Sequence, residues 1–188
     1  MFTPNRTRQA GLSLIELVMF IVIVGVAVAG VLSVMNVTAR HSADPMIRKQ
    51  AQAIAESLLE EIELQPFTYC DPDDANAANA TGPFVGVTGC ATTVEALGPE
   101  AGETRYTSPQ FDNVNDYDGF SMSPIVDITG SSITGLGAYT ASVSISQTGA
   151  TFSLPVADVL QIDVRVVSGN TDITLTGYRF RYAPKAVP

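Results

Sequence analysis

The 188-residue sequence has no tryptophan, one histidine and two cysteines. With His41 as the lone imidazole, a Ser/His/Asp relay has a single candidate base, and it borders an apolar stretch rather than a catalytic pattern. Two cysteines without a C-x-x-C pair cannot assemble the ligand set of a structural zinc site. No glycine-rich phosphate loop follows a strand-like run. These absences argue against an enzyme. Basic side chains are also scarce: 10 Lys and Arg stand against 19 Asp and Glu, for a net charge of −9. Such a balance repels phosphates and disfavours a nucleic-acid partner.

Charge is missing altogether from one long stretch. Between Gln9 and Ala39 the only charged side chain is Glu16, and from Leu17 to Met35 the only polar one is Ser33. At about 1.5 Å per residue this run forms a helix that can cross a hydrocarbon core of roughly 30 Å. A carboxylate near the centre of such a helix costs about 2.5–3.5 kcal/mol, and intramembrane acids are usually functional. Glu16 lies nearer the end, where the cost is lower, but it still calls for a role. Gly25 and Gly30 interrupt the run; they allow either close helix packing or local loosening of the helix.

Beyond the apolar run, Ile47, Ala51, Ile54, Leu58 and Ile62 recur every three or four residues, with Ala55 and Leu59 widening the stripe. Arg48, Lys49, Gln52, Glu56, Glu60 and Glu63 fill the remaining surface, so this segment is an amphipathic helix. Asp44 followed by Pro45 has the form of an N-cap with proline in the first helical position, which predicts a kink or short break near Ser42–Pro45. The helix is expected to end before Pro66.

Phe67 to Pro124 is acidic, turn-rich and carries both cysteines, with Asp71-Pro72-Asp73-Asp74-Ala75-Asn76 forming turns. From about Ile125 the signals become those of strands. Tyr139–Ser146 alternates apolar and polar residues, and Val156–Val167 and Ile173–Tyr182 are β-branched and aromatic runs separated by Ser168-Gly169-Asn170. That pattern is a hairpin with a short turn. A long N-terminal helix followed by an antiparallel sheet is an α+β plan. The stretch Asp112-Asn113-Val114-Asn115-Asp116-Tyr117-Asp118-Gly119 concentrates oxygen ligands as calcium loops do. Asp112, Asn113, Asn115, Asp116 and Asp118 are therefore candidate calcium ligands, although the spacing is not that of an EF-hand. An Asx-stabilised turn carrying solvated charge explains the same residues.

Gly11-Leu12-Ser13-Leu14-Ile15-Glu16-Leu17, behind a short leader with Arg6 and Arg8, closely resembles the prepilin signal of type IV pilins and type II secretion pseudopilins. The resemblance implies cleavage between Gly11 and Leu12 by a prepilin peptidase on the cytoplasmic side, with N-methylation of Leu12. An ordinary secretory signal is cut after its apolar region, whereas here the glycine precedes it. Many family members carry Phe or Met where this chain has Leu12. Basic residues flank the anchor on both sides, Arg6 and Arg8 before it and Arg40, Arg48 and Lys49 after it, so charge alone does not orient it. The motif places the N-terminus in the cytoplasm. Loss of the leader would bring the net charge to −11.

Ser42-Ala43-Asp44-Pro45, the helix Ala51–Ile62, the stretch Asp112–Gly119 and the ending Gly177-Tyr178-Arg179 are similar to MshD-type minor pilins of the mannose-sensitive haemagglutinin pilus. The resemblance implies the type IV pilin fold, with residues 1–11 as leader, 12–36 as membrane and filament-core helix, 37–65 as an amphipathic half and 66–188 as a β-rich exported domain. It also implies a path from the inner membrane, with the C-terminal domain in the periplasm, to an extracellular pilus. The partners would be other pilin subunits, the prepilin peptidase and an inner-membrane assembly platform, and Glu16 would receive the N-terminal amine of a neighbouring subunit. The alternatives are a minor pseudopilin of type II secretion or a pilus-borne attachment module. In an oxidising periplasm Cys70 and Cys90 are expected to pair, two free thiols being the other possibility.

Overall fold

Ser13 starts the first element: its carbonyl accepts the N–H groups of Glu16 and Leu17 at 3.0 and 3.1 Å. The computed structural model describes Gly11 and residues 13–187, and gives the backbone alone for residues 38–44. Leu12 and the leader before Gly11 lie outside the described residues. The chain divides into two units, Met1–Pro45 and Met46–Pro188.

Helix α1 spans Leu14–Glu63. In the first unit its Leu14–Val37 stretch has a mean hydropathy of 2.9 with nothing buried, and it is long and apolar enough to cross a membrane. At about 1.5 Å per residue its 24 residues reach roughly 36 Å. Val and Ile are indifferent helix formers in water. In a lipid environment a helix would satisfy every backbone polar group internally, a requirement that outweighs propensity.

The expected break at Ser42–Pro45 is not present: helical backbone runs through Pro45. A proline inside a helix removes one hydrogen bond and crowds the preceding turn, at about 3 kcal/mol. Long helical segments on both sides outweigh that local cost, so Asp44 does not start a new helix. The helix ends at Glu63, before Pro66, as its sequence predicts.

In the second unit, Met46–Pro188, the predicted stripe is the buried face of α1. Ala51, Ala55, Leu58 and Ile62 are at most 2% exposed, and Ile47, Ile54 and Leu59 pack at its margins. Burying a Leu or Ile side chain stabilises by about 1.5–3 kcal/mol. The opposing surface is a four-stranded antiparallel sheet in the order β1-β2-β3-β4. Its strands are β1 (Ser121–Met122), β2 (Thr140–Gln147), β3 (Val159–Ser168) and β4 (Thr171–Phe180). Ala141, Val143 and Ile145 of β2, with Leu160, Ile162, Val164 and Val166 of β3, join the helix stripe in one core.

β3 and β4 pair from Val159↔Phe180 to Ser168↔Thr171, which leaves Gly169-Asn170 as a two-residue turn. Gly169 takes φ +57°, which glycine adopts without a steric penalty. β3 begins three residues later than its composition predicts, because Val156–Asp158 form a 3-10 turn behind Pro155. The short β1 has no counterpart in the sequence pattern. At Gly177 of β4 an added Cβ would meet the ends of the Leu59 and Glu63 side chains of α1, which would have to shift.

Candidate functional site

Two regions carry residues whose placement the fold does not explain. The first is the start of α1. Leu14, Ile15, Phe20, Ile21 and Ile23 are each more than half exposed. Glu16 sits among them in the first helical turn, where the positive end of the helix dipole favours a carboxylate. No side chain among the described residues pairs with it. Among the described residues, an added Cβ at Gly11, Gly25 or Gly30 would meet nothing within 4 Å.

The second region is the set of loops between α1 and the sheet. Cys70 and Cys90 form a disulfide with a Cα–Cα distance of 5.5 Å. Both are fully buried and centre a small core with Ala77 and Ala80, edged by Tyr69 and Val94. Cys70 also bridges Val94, and the Glu95 N–H donates to the Tyr69 carbonyl at 3.1 Å.

Asp74 organises the loop inside this cross-link. Its Oδ1 accepts the N–H groups of Asn76 and Ala91, both at 2.8 Å. Its Oδ2 accepts those of Thr92 and Thr93 at 2.7 and 2.9 Å, and the Thr92 hydroxyl at 3.0 Å. Burial alone would raise its pKa, but the N–H groups of Thr93, Ala91, Thr92 and Asn76 hold it well below the usual carboxylate range. A depressed folded-state value stabilises the fold above the unfolded pKa near 3.9, and that contribution is lost as pH falls below it. Asp74→Asn is therefore expected to destabilise the protein by about 1–3 kcal/mol at pH 7. Unfolding midpoints of wild type and variant should converge as the pH is lowered below about 4; a gap that stays constant with pH would refute the assignment.

The Asp112–Gly119 stretch does not wrap one centre as a contiguous loop. Val114–Tyr117 is a 3-10 helix capped by Asn113, whose side chain is turned to the backbone N–H of Asn115. Asn113 Nδ2 donates to Thr68 Oγ1 at 2.7 Å, and Asp118 Oδ1 accepts the Ile145 N–H at 2.7 Å. Asn113 and Asp118 thus serve the fold, and Asn115 is buried. Asp112 and Asp116 instead approach acids that are distant in sequence.

Three groups of carboxylates, each with oxygens within 4.8 Å of one another, overlap there: Asp71, Asp73 and Asp112; Asp71, Glu100 and Glu103; Glu95, Glu100 and Asp116. Burial pushes Glu95 up to about 10, with the charges of Asp116 and Glu100 adding to the effect. Burial likewise moves Asp112 and Glu103 up to about 7, with help from neighbouring acids. Glu100 and Asp116 are raised by burial first; Asp116 adds to the rise at Glu100, and the N–H groups of Asn113 and Asp112 moderate the rise at Asp116. Asp71, Asp73, Glu95, Glu100 and Glu103 have no sequence signal as a site, because their spacings fit no local motif.

An apolar cleft of about 540 Å³ lies between α1 and the loops, lined among others by Ile54, Leu58, Ile125, Ile133 and Leu136. Its charged pair, Glu61 and Arg105, is bonded to itself at 2.6 Å. Neither family models, nor curated proteins, nor solved structures match the chain.

Proposed function

We propose that this chain is a minor pilin of a type IV pilus of the mannose-sensitive haemagglutinin kind. In this reading it is held in the inner membrane by Leu14–Val37, with a cytoplasmic N-terminus, and assembled through that helix into a filament. The observation that carries the reading is a membrane-length apolar helix, exposed throughout, with one carboxylate in its first turn that has no partner among the described residues. Glu16 at that position fits the N–methylated amine of Leu12 from a neighbouring subunit. In a lipid-like filament core such a pair is far stronger than in water. The helix-then-sheet order fits the pilin plan.

Mass spectrometry of the mature protein is expected to find N-methylated Leu12. Gly11→Asp should abolish processing, and an intact leader on wild type in a strain with active peptidase would sink the reading. Glu16→Val should still insert and be processed, but its recovery in sheared filaments should fall about tenfold. A pairing contribution of only about 1.4 kcal/mol is enough for that change. Normal incorporation would show that the carboxylate is dispensable. Loss of protein secretion with intact pili on deletion would assign the chain to a secretion system instead.

A further inference from the structure

We infer that Glu95, Glu100 and Asp116 form a binding site for a hard divalent cation, and that its occupant is calcium. The inference is independent of the pilin reading.

Geometry comes first. Asp116 is 1% exposed, and its Oδ1 is enclosed without a hydrogen-bond partner among the described residues. Its Oδ2 is held by the N–H groups of Asp112 and Asn113 at 2.9 and 2.8 Å, so the carboxylate cannot turn away to find water. Both oxygens of Glu95 are also enclosed and unpartnered. A carboxylate buried without a donor costs far more than one that is paired. Here Glu95, with both oxygens unpartnered, and Asp116, with one, meet a third carboxylate, Glu100, with oxygens within 4.8 Å of each other. Ligands on opposite sides of an ion with bonds of about 2.3–2.6 Å lie roughly 4.6–5.2 Å apart, so one calcium can reach all three.

The site is also built rather than accidental. Glu95 is fixed by its N–H bond to Tyr69 and by the adjacent bridge between Val94 and Cys70 of the disulfide. The Gly98 N–H donates to the Asn115 carbonyl at 3.0 Å and draws the Glu100 loop onto the 3-10 helix that carries Asp116. The Glu100 N–H donates to Glu103 Oε2 at 3.3 Å.

Among the described residues no basic side chain forms an ion pair with the group. Arg181 interacts electrostatically with Glu95, but its guanidinium donates to the carbonyls of Thr68 and Ala157 and stacks on Phe67. Among the described residues no ion pair reaches any of these acids, and Asp71, Glu103 and Asp112 add further negative charge around them. The raised affinities for protons noted above have the same cause, and a divalent ion removes it more completely than a proton.

Donor chemistry selects the ion. All ligands are oxygens, and the cysteines are oxidised, which disfavours zinc and softer metals. Carboxylates offered by the Glu95–Glu100 loop and a short 3-10 helix suit the variable coordination of calcium. Magnesium demands near-octahedral bonds of about 2.0–2.1 Å and keeps its waters.

Full-length protein in detergent, freed of metal by chelation, provides the test. Calorimetric titration with calcium is expected to show a saturable site with a dissociation constant at or below about 1 mM, and calcium should raise the unfolding temperature. Glu95→Gln and Glu100→Gln should each weaken binding at least about tenfold while raising the stability of the calcium-free protein, because each replaces an acid whose ionised form the folded site disfavours. Retention of the disulfide and of helical signal will show that the variants are folded. Asp163→Asn, on the sheet, should bind as wild type does. Absence of heat and of any stability change at about 10 mM calcium, well above the weakest calcium modules, would overturn the site. Unchanged binding in both Gln variants would overturn the ligand assignment, and a stronger response to magnesium would overturn calcium.

Discussion

Glu61→Ala is expected to lower the stability of the folded protein by about 2–4 kcal/mol. Glu61 reaches from α1 to Arg105, which donates from Nε and Nη2 to the two carboxylate oxygens at 2.7 and 2.6 Å. The Tyr117 hydroxyl donates to Glu61 Oε1 at 2.8 Å. One carboxylate thus joins the helix to two loop segments. Arg105 is only 6% exposed and Glu61 25%, so truncation leaves a buried guanidinium with no counter-charge. Removing one partner of a fully buried pair costs about 3–5 kcal/mol; the exposure of Glu61 places the expectation lower. Arg105 retains its bond to the Asp127 carbonyl at 3.3 Å and its place near the Phe120 ring, which softens the loss. Tyr117→Phe deletes only the neutral donor and should cost about 1 kcal/mol. Denaturant unfolding of full-length protein in detergent measures both. A Glu61→Ala effect below that of Tyr117→Phe would show that the ion pair contributes little. A double-mutant cycle with Arg105→Met then isolates the pair, and the double variant should be more stable than Glu61→Ala alone.

Loss of the Cys70–Cys90 disulfide is expected to cost about 3 kcal/mol, the chain-entropy value for a loop of some 20 residues. The cross-link confines a segment with little apolar surface of its own. Its core is two cysteines and two alanines, and the backbone between them is held largely by turns and by Asp74. Cys70→Ser/Cys90→Ser should therefore unfold at lower denaturant than wild type, while α1 and β2–β4 keep their own core. Thiol labelling of native, unreduced protein should fail and should succeed in denaturant plus reductant. Labelling of both cysteines in native protein without reductant would contradict the cross-link. An unfolding midpoint unmoved by the double Ser variant would show that the loop is already ordered by its hydrogen bonds.

Local pattern determined much of this protein. Side chains every three or four residues from Ile47 to Ile62 can share one face only in a helix, and that face is buried. Alternation in Thr140–Gln147 and the Gly169-Asn170 turn set the strands and their pairing, because both depend on neighbours along the chain. The uncharged run that became Leu14–Val37 needed nothing but length and apolarity to be recognised. Tertiary structure decided the rest. Pro45 marks a break by local rules, but the helix continues through it because the segments on either side outweigh one missing bond. The Asp112–Gly119 acids look like one loop site, yet Asp118 is taken by β2 and Asn113 by its own turn and Thr68. Asp116 finds Glu95 and Glu100 instead. Which acids converge depends on how the Cys70–Cys90 loop and the 3-10 helix fold onto each other, and long-range packing of that kind leaves no periodic trace in a sequence.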